Sequence, residues 1–161
     1  MDIQVLSRDL IYIDGKKIRR TRLFFDNYRL HCRDIFYSKK NEVVVKIDQC
    51  NFEESPKNRW KSNTENQCKI ELKLWKRFRE SEKIFFPEPI SGGFFMEDGH
   101  KVHWIAQKLF YKDGRRKPAK HKDWAKLEKI FDKYNIEDVF DDDRNCFVDI
   151  SNRLICVDWA I

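Results

Sequence analysis

The five residues Val43-Val44-Val45-Lys46-Ile47 constrain this chain most. The β-branched run reads as a strand packed into a core, and Lys46 places an ammonium inside it. Burying that charge is costly unless it meets an anion. On a strand Lys46 shares a face with Val44 and lies opposite Val43, Val45 and Ile47. Either it sits on an edge strand and snorkels to solvent, or a carboxylate from another element meets it.

A carboxylate is available downstream. Residues 65–80 carry helical periodicity. At about 100° per residue, Cys68, Ile70, Leu72, Leu74, Trp75 and Phe78 fall on one broad arc, with Glu71 near its middle. A charge centred on an apolar helix face needs a partner, and Lys46 on the preceding strand is the candidate. The alternative is that Glu71 bends outward to a surface lysine.

Turn chemistry places the other strands. Leu10–Ile13 runs into Asp14-Gly15 and resumes at Ile18, so residues 3–24 read as an N-terminal hairpin. A second hairpin joins Ile35-Phe36-Tyr37 to Val43–Ile47 through Ser38-Lys39-Lys40-Asn41. A third pairs residues 90–96 with 102–110 around Glu97-Asp98-Gly99. Prolines at 87 and 89 keep Phe86–Ile90 extended. A helix is expected over 123–134, with Trp124, Leu127, Ile130, Phe131 and Tyr134 on one side. An acidic loop, 137–145, leads to a last hairpin, Cys146–Val148 against Leu154–Val157, turning at Ser151-Asn152. This order predicts an α+β fold with an antiparallel sheet.

At 161 residues and 41% apolar content, the chain suits one domain with a sizeable core. The net charge of +6 favours acidic partners: nucleic acid, phosphates or an acidic protein face. Two basic stretches, 16–22 and 114–122, are either a patch for such a partner or solvated loops. The cysteines at 32, 50, 68, 146 and 156 lack C-x-x-C spacing and are expected to be reduced, mostly buried thiols of a cytoplasmic protein. No apolar run approaches ~18 residues, and Met1-Asp2-Ile3-Gln4 does not open a secretory signal; neither membrane span nor leader is expected. His100 and His103 point to opposite faces of a hairpin, which disfavours a zinc site there.

The last hairpin carries Asn145 before its first strand and Asp158 after its second. Its short turn brings both to one end, an oxygen-donor pair suited to Mg²⁺. A strand lysine, a glutamate on the next helix, then Asn and Asp around a late hairpin is the protein-kinase order. The sequence resembles that superfamily, and in particular small kinase-like proteins of bacteria and their phages. Val44-Val45-Lys46-Ile47 resembles the kinase lysine strand, and Gln67–Trp75 the C helix with its glutamate. Val102–Leu109 resembles the strand entering the hinge. Asn145–Asp149 with Ile155–Ala160 resembles the catalytic-loop Asn followed by the DFG segment.

The resemblance implies a nucleotide-binding lobe over 25–110 behind an N-terminal extension, 1–24. A reduced second lobe of one helix and a hairpin would follow over 111–161. It implies ATP and Mg²⁺ as cofactors. Lys46 would hold the phosphates and pair with Glu71, and Asn145 and Asp158 would bind the metal. The backbone near Gln107–Leu109 would meet the adenine. Asp138 best matches the catalytic base that accepts a substrate hydroxyl proton, with Asp141 as the alternative.

Four departures accompany this resemblance. Residues 16–91 contain no glycine, so Tyr28–Arg33 stands in place of the Gly-rich loop, with Arg29 or Arg33 available as charge. The H-R-D element is absent. DFG becomes Asp158-Trp159-Ala160. The sequence reaches Ile161 without an activation loop or large substrate lobe, so a partner or dimer mate would supply the platform. The expected function is ATP–Mg²⁺ binding with phosphorylation of protein hydroxyls. The alternatives are a catalytically inactive interaction protein on the same fold, and a small basic nucleic-acid-binding protein.

Overall fold

Two Asp-Gly turns set the strand layout. Asp14-Gly15 (φ +48° and +73°) and Asp98-Gly99 (φ +50° and +77°) both hold two successive positive φ angles, as tight hairpin turns require. The protein is represented by a computed structural model, which describes residues 1–18, 33–48, 67–109, 115–116, 121–136, 146–149 and 151–156. In chain order the elements are β1 (Ile3–Ser7), β2 (Leu10–Ile13), β3 (Lys16–Lys17), β4 (Arg33–Ser38), β5 (Val43–Asp48), α1 (Gln67–Arg77), α2 (Glu80–Lys83), β6 (Pro89–Glu97), β7 (His100–Lys108), β8 (Arg115–Arg116), α3 (Trp124–Tyr134), β9 (Cys146–Val148) and β10 (Leu154–Cys156). The fold is α+β with antiparallel sheets.

The main sheet has the order β4-β5-β7-β6, so β5, which carries Lys46, lies inside it. Lys46 is therefore not the edge-strand lysine that the sequence left open. Every residue of β5 is buried, because both faces of the sheet are covered. On one face, Phe36, Val43, Val45, Ile47, Phe95, Val102, Trp104 and Ala106 pack against Ile3, Val5, Ile11 and Ile13 of the N-terminal strands. The expected hairpin at 3–24 is thus a three-stranded sheet, β1-β2-β3, among the described residues. Arg8 fastens it to the main sheet: it bonds Asp34 on β4 at 2.9 Å, both carboxylate oxygens of Glu97 on β6 at 3.0 Å, and the Asp48 carbonyl on β5 at 2.9 Å.

The opposite face receives α1. The helix comes so close at Gly92 on β6 that an added Cβ would stand 3.0 Å from Leu72 Cδ2 and 3.2 Å from the Trp104 carbonyl. Beyond α1 lies a second core. Leu74 and Phe78 meet Phe85, Phe86, Leu127, Ile130, Phe131 and Ile136, together with Cys146, Val148, Leu154 and Cys156 of the last hairpin. The α3 helix ends at Asn135 in the left-handed conformation (φ +52°), a common helix stop. The basic stretch expected as a loop contains β8, which pairs with β9 at Arg115↔Val148 and Arg116↔Phe147. Among the described residues no helix is long and apolar enough to cross a membrane.

Candidate functional site

Strand alternation fixes which β5 residues look toward α1. Val43, Val45 and Ile47 enter the core shared with the N-terminal sheet, which leaves Val44, Lys46 and Asp48 on the helix side. Helix α1 brings Glu71 there. Lys46 Nζ donates to Glu71 Oε1 at 3.0 Å, and the two residues are 2% and 1% exposed. The outward-bending alternative for Glu71 is thereby excluded.

Glu71 also holds partners that the pairing argument did not include. Arg33, the first residue of β4, ion-pairs with Glu71 Oε2 through Nη1. Gln107 on β7 donates from Nε2 to Glu71 Oε1 at 3.0 Å, and its own buried Oε1 has no hydrogen-bond partner among the described residues. One carboxylate thus gathers a guanidinium, an ammonium and an amide from three adjacent strands. Asp48 completes the layer differently. Its carboxylate accepts the Cys68 backbone N–H at 3.1 and 3.3 Å, which satisfies an amide in the first turn of α1. The Cys68 thiol turns to the Lys46 carbonyl at 3.4 Å.

The electrostatics follow from burial and pairing. Burial pushes the Glu71 carboxyl up, but Lys46 and Arg33 outweigh it and hold the group below its ordinary value. Burial pulls the Lys46 ammonium down, Glu71 opposes this, and the charge of Arg33 adds to the lowering, so the net shift is downward. Arg33 is raised, because Glu71 and the neighbouring acidic groups exceed its burial cost. Asp48 is raised by burial. The last hairpin lies close by. The Cys156 thiol, pushed up chiefly by burial, senses the charges of both Lys46 and Glu71. Strand β10 shares the second core with Leu74 and Phe78, on and just after the helix that carries Glu71.

The other sequence-derived site residues divide into two groups. Asn145, Asp158, Asp138 and Asp141, assigned to metal binding and catalysis, lie outside the described residues, as do Tyr28, Arg29 and the acidic loop. Gln107 and Leu109 are described. The Gln107 side chain serves Glu71, and the Leu109 N–H donates to the Glu42 carbonyl at 2.7 Å. Arg33, considered as charge for a phosphate, is engaged with Glu71. Asp48 was legible two residues after Lys46 on the same strand face. Gln107 was not, because only the β5–β7 register brings it opposite Val44 and within reach of Glu71. Among the described residues no group of three metal-ligating side chains is present. No family model matches the chain, and no curated protein matches its sequence.

The arrangement can do two things. As a buried polar layer it fixes the register of β4, β5 and β7 against α1, because a slip of one residue would strand a charge. It also brings two cations to one point, where both are paired with the Glu71 carboxylate.

Proposed function

We propose that this chain is a minimal kinase-like protein that binds ATP–Mg²⁺ and carries phosphoryl-transfer chemistry toward a protein serine or threonine hydroxyl. The observation that carries this reading is the buried contact between Lys46 on an interior strand and Glu71 on the helix that follows. In the kinase arrangement such a pair orients the lysine toward the nucleotide phosphates. Two further features support it. The β4-β5 and β6-β7 hairpins flank α1 in the expected chain order. Strand β10, which ends two residues before Asp158, packs into the same core as Leu74 of the helix that carries Glu71. In this reading Lys46 holds phosphate, Asn145 and Asp158 bind the metal, and Asp138 or Asp141 accepts the proton.

A second reading is favoured by a specific observation. Lys46, Arg33 and Glu71 are all buried, both cations are bonded to Glu71, and the Leu109 N–H is already engaged. A layer so closed suits an inactive relative that keeps the ion pair as a structural element and acts by binding another protein.

Calorimetric titration with ATP separates the two readings. Magnesium-dependent binding by the wild type, lost in Lys46→Ala and in Asp158→Ala, supports the nucleotide site. Asp138→Asn and Asp141→Asn, compared in a phosphoryl-transfer assay, then identify the base. A folded wild type that takes up no ATP at millimolar concentration refutes the first reading and leaves the second.

A further inference from the structure

The last hairpin sets two cysteines directly opposite each other. The β9–β10 register pairs Cys146 with Cys156, both without exposed surface and both in the reduced form. The ladder identifies the type of pair. The Asp149 N–H donates to the Arg153 carbonyl at 2.9 Å, which makes Asp149/Arg153 a hydrogen-bonded pair. Bonded and non-bonded pairs alternate along an antiparallel ladder, so Phe147/Ile155 is bonded and Cys146/Cys156 is not. The Cys156 N–H confirms this by donating away from β9, to the Phe85 carbonyl at 2.8 Å. In a non-bonded pair the Cα atoms lie about 4.5 Å apart with side chains closest, inside the span of about 4.4–6.8 Å that a disulfide bridges. Both side chains of a non-bonded pair point to the same face of the hairpin, and both enter the same buried core.

We propose that Cys146 and Cys156 form a two-thiol redox site that closes into a cross-strand disulfide when a peroxide oxidises it. A thiolate of the pair attacks the peroxide O–O bond, giving a sulfenic acid and releasing hydroxide. The second sulfur then attacks the sulfenic sulfur, and water leaves as the S–S bond forms. The two thiols lose two electrons and two protons, and the peroxide is reduced to two waters. Burial keeps the Cys156 thiol protonated, so reaction proceeds through openings of this short hairpin and is slow. The product staples β9 to β10 within the core that they share with Leu74 and Phe78. This inference is independent of the nucleotide reading.

The test treats the folded full-length chain with hydrogen peroxide, then counts thiols after denaturation and maps linked peptides by mass spectrometry. The expected result is a fall from five thiols to three, a peptide link joining positions 146 and 156, and recovery of all five with dithiothreitol. Cys146→Ser and Cys156→Ser should each keep their four remaining thiols under the same treatment. Retention of all five thiols by the wild type overturns the proposal. So does a link through Cys32, Cys50 or Cys68, or a bond between chains. Mapping on the wild type decides the matter even where a serine variant fails to fold.

Discussion

Replacing Glu71 should destabilise the protein far more than replacing the lysine that pairs with it. Glu71→Gln keeps the shape but removes the charge that Lys46 and Arg33 share, and both cations are buried. Removing one member of a buried ion pair typically costs about 3–5 kcal/mol, and here one carboxylate serves two cations and the Gln107 amide. Lys46→Met removes one cation and leaves Glu71 held by Arg33 and Gln107. A neutral side chain of similar length fills the same space, so the cost should be about 1 kcal/mol. Urea unfolding measures both. With a slope of about 2 kcal/mol per molar, Glu71→Gln should lower the midpoint by about 1.5–2.5 M and Lys46→Met by about 0.5 M. Equal shifts for the two variants, or a loss below about 1 kcal/mol for Glu71→Gln, would show that Glu71 is not the hub of this layer.

The Glu82 carboxylate accepts from the Arg79 N–H at 2.8 Å, Lys133 Nζ at 2.6 Å and Tyr134 Oη at 2.7 Å, joining α2 to α3. Burial pushes this carboxyl up, but those bonds prevail and hold it at about 2, against an ordinary 4.5. Its folded value lies below its unfolded one, so its stabilisation is complete above about pH 4.5 and is lost as pH falls toward 2. Discounted for its contact with solvent, the contribution is about 1–2 kcal/mol, and Glu82→Gln should flatten acid unfolding in that window. Gly92→Ala should cost about 1–3 kcal/mol in thermal unfolding, because the new methyl meets Leu72 and the Trp104 carbonyl; unchanged stability would contradict the close approach of α1. Arg8→Ala should raise amide exchange across β1 and β2 while β5 and β7 stay protected, since Arg8 ties the N-terminal sheet to Asp34, Glu97 and Asp48.

Much of the strand layout was legible because turns are local. Asp14-Gly15 and Asp98-Gly99 carry their conformation in two residues, and helix α3 announces its buried side by spacing alone. The strand Lys46 and the helix Glu71 were also legible as a pair, since a charge amid apolar residues states its need for a counter-charge wherever the chain goes. The third strand at Lys16–Lys17 and the pairing of Arg115–Arg116 were not. Such two-residue strands have no periodicity to read, and they exist only because a neighbouring strand offers its edge.

The sequence alone named Glu71 as the candidate partner of Lys46, with an edge-strand lysine and an outward-bending glutamate as the alternatives, and its five cysteines as reduced and mostly buried; Cys68, Cys146 and Cys156 are buried thiols. Tertiary structure decided everything that depends on register. It put β5 inside the sheet rather than at its edge, and added Arg33 and Gln107 to the carboxylate. It turned Asp48 to the first turn of α1 and set Cys146 against Cys156. The physical reason is the range of the forces. Turn and helix preferences act over a few neighbouring residues, whereas a buried charge is satisfied by whichever groups packing brings within about 3 Å, and these came from 25 to 38 positions away.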